Sequence, residues 1–188
     1  MMRGTARLYR RFVASTRAVA AIEFAAIMPV LAFILLAAFD GGRAIAIYMK
    51  VRAATFALAA ITNQYTTIAS TDMTSITGAT SVILAPYTSS PVIVTISQIA
   101  ISNLGVATVA WSYSQGGTAH TQGNSITVPS TLAVPNSYLI FAEVSYQFTP
   151  LFGYFGNGGI TFSDNLYVTP RSSTCVVYTP QQTATACT

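Results

Sequence analysis

The 188-residue chain is 52% hydrophobic and 7% charged, with a formal net charge of +4. An ordinary water-soluble domain carries about a quarter of its residues charged, so this composition excludes a cytosolic surface over the whole chain. Residues 1–52 hold eight of the nine Lys and Arg, and beyond them Arg171 stands against Asp72, Glu143 and Asp164. That asymmetry excludes a nucleic-acid-binding face, which interleaves basic and aromatic residues on a folded surface.

Arg3, Arg7, Arg10, Arg11 and Arg17 form a basic segment. Behind it, Ala18 to Phe39 is a 22-residue apolar run broken by one charge, Glu23. About 20 apolar residues cross the hydrocarbon core of a bilayer as a helix. The arginine bias sets the N-terminus in the cytoplasm and the rest of the chain outside it. Pro29 interrupts the run, and a kink or an unwound turn is expected near Ala25–Pro29. After Gly41-Gly42, Ala44, Ile47, Val51, Ala54, Leu58 and Ile61 recur at three- and four-residue spacing. This is an apolar helix stripe laid on a core, with Arg43, Lys50 and Arg52 keeping the opposite face polar. One helix from Val19 to Ala69 would be roughly 75 Å long.

Ser70-Thr71-Asp72 reads as the N-cap of a second helix over Met73–Ala85, stopped by Pro86. Strands follow. Val92–Ser102 and Val106–Tyr113 form a hairpin around Asn103-Leu104-Gly105. Gln115–Asn124 is a polar loop containing His120. Ile126–Pro135 is irregular. Tyr138–Phe148 and Ile160–Val168 are two further strands, with a glycine-rich loop tip at Gly153–Gly159 between them. Four antiparallel strands need one face covered, and the second half of the long helix supplies the cover. The expected class is α+β: a long N-terminal helix packed on a roughly four-stranded antiparallel sheet. The expected divisions are a leader at 1–18, a membrane helix at 19–40, its amphipathic continuation at 41–70, an extracytoplasmic α+β domain at 71–171 and a tail at 172–188.

Cys175 and Cys187 are the two cysteines. In an exported domain such a pair reads as one disulfide, worth about 3 kcal/mol in the chain-entropy picture. With His120 as the one other soft ligand, they cannot close a zinc site, and no cofactor or metal is expected. The single histidine and five scattered acids offer no paired acid and base, so no enzyme activity is expected. Glu143 and Asp164, each inside a strand, read as solvated or paired with Arg171. Glu23 stands apart, because a carboxylate at membrane depth is costly without a cation beside it.

Arg17-Ala18-Val19-Ala20-Ala21-Ile22-Glu23-Phe24-Ala25-Ala26-Ile27-Met28-Pro29 resembles the N-terminal signature of the TadE-like proteins, pseudopilins or minor pilins of the tight-adherence (Tad, or Flp) branch of type IV pili. Asp40-Gly41-Gly42-Arg43 is similar to that family's acidic-x-Gly-Arg end of the membrane span. Val144–Phe152 and Pro170-Arg171 are similar to its late strand and closing motif. The TadG-like relatives share the N-terminus on longer chains.

The resemblance implies a pilin-like fold and removal of the leader by a prepilin peptidase at Ala18–Val19. Glycine is usual before that bond, and this chain has Ala18. It further implies that Glu23 and Phe24 act in assembly, with Glu23 meeting the new N-terminal amine of a neighbouring subunit. The implied partners are other Tad pilins and pseudopilins, the peptidase, the inner-membrane assembly platform and the inner membrane, with no nucleic acid. The implied place is the inner membrane, N-terminus inside and C-terminal domain in the periplasm, or the finished pilus. Two rivals are an uncleaved, membrane-anchored binding domain and a secretory signal over residues 1–38.

Overall fold

The computed structural model describes residues 16–87, 92–151 and 159–183. Helix α1 is Thr16–Thr62, β1 is Thr67–Ile68, α2 is Ser70–Leu84, β2 is Val92–Ile101, β3 is Ala107–Gln115, β4 is Ser137–Phe148, β5 is Ile160–Val168 and β6 is Val177–Tyr178. This is the α+β class read from the sequence: a long N-terminal helix followed by a four-stranded antiparallel sheet. By its internal contacts the chain divides into two units, Met1–Arg43 and Ala44–Thr188.

In the first unit α1 is helical without a break through Pro29, and the turn expected to unwind at Ala25–Pro29 stays helical. Its side chains from Val19 to Phe39 stand out of any core: Ile22, Phe24, Leu31, Phe33 and Leu35 are all more than half exposed. The helix runs on through Gly41 and Gly42 as well. Near the end of this unit, Asp40 pairs with Arg43 one turn later, Oδ1 to Nη1 3.6 Å.

In the second unit the sheet has the order β3-β2-β4-β5, every neighbour antiparallel. Alternation assigns its two faces. Val94, Ile96, Trp111, Ile140, Ala142, Val144, Tyr146 and Phe148 form the core with Ile47, Val51, Ala54 and Leu58 of α1 and Met73, Ile76 and Leu84 of α2. The expected α1 stripe is therefore the core stripe, with Ala44 and Ile61 packed at its margin. The opposite face differs from the expectation of a polar surface. It carries exposed Ile45, Met49 and Phe56 besides Arg52, and Lys50 turns its Nζ onto the carbonyls of Ile83 (2.9 Å) and Ala85 (2.7 Å). Those carbonyls lie at the C-terminal end of α2, where the helix dipole and unpaired acceptors favour a cation.

Helix α1 ends at Thr62, seven residues short of Ala69. Long-range partners outcompete continued helix there. The Asn63 carbonyl accepts the Arg171 backbone N–H (2.8 Å), and β1 pairs in parallel with β6. Helix α2 starts earlier than expected, capped at Ala69, and Asp72 acts from inside the first turn by accepting the Ala69 N–H at 3.1 Å. The hairpin turn is where it was expected, with Gly105 at φ 77°, a backbone that side chains rarely adopt. A β-bulge at Gln98/Ile99 brings Val109 onto the outer face.

The tail enters the core. Cys175, Val176, Val177 and Tyr178 are at most 5% exposed. The Trp111 Nε1–H donates to Val176 O at 2.7 Å, and the Val176 N–H donates to Gln98 Oε1 at 2.6 Å. Cys175 is disulfide-bonded. Cys187 and most of the Gly153–Gly159 loop tip lie outside the described residues.

Candidate functional site: an exposed apolar helix and an outer-face cleft

Arg17, Ala18, Val19, Glu23 and Phe24 all lie in the first turns of α1. Val19 is 49% exposed, and Glu23 and Phe24 are exposed on the next turn. Leucine, isoleucine and phenylalanine kept outside any core over five turns are costly in water, at roughly 25 cal/mol per Å² of apolar surface. In hydrocarbon that cost vanishes, and the helical backbone satisfies its own polar groups. The helix is long and apolar enough to cross a membrane, and its most apolar 18-residue window has none of its residues buried.

Read from the sequence, Glu143 is either solvated or paired with Arg171. The structure pairs it with His120, Nε2 to Oε2 2.6 Å. Register explains the correction: Glu143 lies opposite Thr95 and Asn165 on the outer face, where the 116–126 loop folds over the sheet. Arg171 is engaged elsewhere, by its backbone, at Asn63. The loop is fastened by the His120 N–H to Ser112 Oγ (3.0 Å), Gly123 N–H to Val109 O (2.8 Å) and Val109 N–H to Asn124 O (2.9 Å). Ring contacts run on from His120 to Phe141 and from Phe141 to Tyr167, the latter pair stacked at 4.2 Å. Burial, and secondarily the charge of Glu143, push the Tyr167 phenol above its ordinary value.

His120 and Glu143 line an open cleft of about 280 Å³ with Thr95, Thr118, Ser145 and Ser163. The His120 Nε2–Glu143 Oε2 contact fastens the loop to β4. Asp164 lies one register position away, opposite Val144. Among the described residues no group of three His, Cys, Asp or Glu side chains is placed to hold a metal ion.

The family model described as TadE-like protein matches residues 18–60. That match spans the apolar helix and the core stripe, and it agrees with the resemblance carried by Arg17–Pro29. No curated protein matches the chain. No solved structure matches it either.

Proposed function

We propose that this chain, a Tad-pilus-associated protein by its TadE-like segment, is a structural pseudopilin, or minor pilin, that acts in priming and assembling the pilus or at its tip. A prepilin peptidase removes residues 1–18 at Ala18–Val19. The mature protein is held in the inner membrane by the helix from Val19, with the α+β domain in the periplasm. The observation that carries this reading is the exposed, unbroken apolar helix whose first turns present Glu23 and Phe24. A lone carboxylate within an apolar span is costly without a cation beside it. The amine freed at Val19 on a neighbouring subunit neutralises Glu23 and sets the stagger between two helices. Ile45, Met49 and Phe56 are exposed on the second unit's part of α1 and suit packing against further pilin helices. A disulfide between Cys175 and Cys187 ties the tail, as suits a periplasmic domain.

The test is the N-terminal sequence of the mature protein from host membranes, together with Glu23→Ala. A start at Val19, and a variant that inserts normally but is absent from pili, is the expected result. A start at Met1 would favour an uncleaved anchored domain, and a start near Phe39 a secreted one.

A further inference from the structure

The two free edges of the sheet are finished differently. The β3 edge is covered. Ala107, Val109, Ala110 and Ser112 give their outward backbone groups to Ile126, to Gly123 and Asn124, to the Gln182 amide and to both ends of the Gln181 amide. The β5 edge has no counterpart: among the described residues its backbone is bonded to β4 alone. Soluble sheets blunt such an edge with lysine, proline, a bulge, an inward-pointing charge or a very short strand, and Asp164, opposite the core residue Val144, is the one such device in β5. Ile160–Val168 is nine residues in unbroken register with β4, has no Lys or Pro, and exposes Thr161, Ser163 and Asn165.

An open strand edge is completed by another extended backbone. The order of residues in β5 says which one. Read from either end around Asp164, the strand has the same apolar and polar order: Ile160 answers Val168, Phe162 answers Leu166 and Ser163 answers Asn165, with two hydroxyl-bearing residues, Thr161 and Tyr167, in the remaining pair. A second β5 laid antiparallel in that register pairs all nine residues, apolar with apolar and polar with polar. The two-fold axis at Asp164 makes the contact isologous and closed. We infer that the β5 edge is a homotypic docking strand, through which two copies of this chain join their sheets into one of eight strands. The facing Asp164 carboxylates oppose each other and keep the association weak and reversible.

The experiment is the molar mass of the full chain in detergent micelles by light scattering across a dilution series, for wild type and two variants. Ser163→Lys with Asn165→Lys places Lys against Lys twice in the proposed register. Both positions are exposed in the monomer, and the Asn165→Lys ammonium would face Glu143 on β4. Ser163→Glu with Asn165→Lys differs at one position and places Glu against Lys twice. The expected result is a wild-type monomer–dimer equilibrium, weakened about tenfold or more in the first variant and restored in the second. A monomeric wild type at every concentration, or a dimer that both variants leave unchanged, would overturn the inference. The second of those results would assign dimerisation to the membrane helix.

Discussion

Leu35 and Leu58 are the same residue type on the same helix, 70% and 0% exposed respectively. Around Leu35 the apolar side chains occur on every side of the helix, and none of them is buried. Around Leu58 they fall into a stripe, and that stripe is the core of the second unit. A helix apolar all round is written for a hydrocarbon solvent, and a striped one for a boundary between core and water. The two regions of α1 are thus fitted to two solvents, with the charges of Asp40, Arg43, Lys50 and Arg52 marking the change.

The sharpest way to break this contrast is to exchange the penalties. Leu58→Ala should lower the unfolding free energy of the domain by about 2–5 kcal/mol, through lost burial and a cavity. Leu35→Ala should leave it within about 0.5 kcal/mol, and chemical denaturation in detergent reads both. Leu35→Asp should reverse the order in a membrane-insertion assay, where a central charge costs about 2.5–3.5 kcal/mol, while domain stability stays as in wild type. Equal effects of the two alanine variants on domain stability would dissolve the distinction.

A smaller effect is expected at Lys50, whose ammonium ends on two carbonyls of the α2 terminus. Lys50→Met keeps the stem and removes the bonds, and should cost about 1–3 kcal/mol in the same denaturation experiment. No loss would return Lys50 to a solvated charge on the polar face of α1. The smallest effect is alkaline. The Tyr167 and Tyr178 phenols are both held above the ordinary value of 10.0, chiefly by burial. Groups kept neutral by the fold contribute their full share at lower pH and lose it as pH rises past the unfolded value. The two tyrosines should therefore contribute a loss of stability above about pH 10. Tyr167→Phe should flatten that fall.

What could be read from the sequence divides along the same physical line. The helix, the hairpin at Asn103–Gly105 and the two later strands follow from local periodicity and turn chemistry, and their bounds match within a few residues apart from the C-terminal end of α1. The core stripe of α1 was legible because its spacing is a property of one element. The helix end at Thr62, the β1–β6 pair and the burial of Cys175–Tyr178 were not, because their partners lie far along the chain. The same holds for the outer-face fastening. Nothing near His120 in sequence points to Glu143, and only the β4 register with the overlying loop brings them together. Of the residues proposed for assembly, Glu23 was conspicuous at once, as a single charge in an apolar run.

The docking of the tail has a consequence for biogenesis. Among the described residues, Gln98 and Trp111 find their buried side-chain partner at Val176, and the two-residue strand β1 finds its own at Val177–Tyr178. Until these last residues arrive, the domain lacks one wall of its core and carries polar groups with no bonds. Contacts closed over such long loops form late, after their entropy cost is met. On the topology proposed above, the helix from Val19 therefore leaves the ribosome long before the domain can close, and the domain would cross the membrane as an unfolded chain.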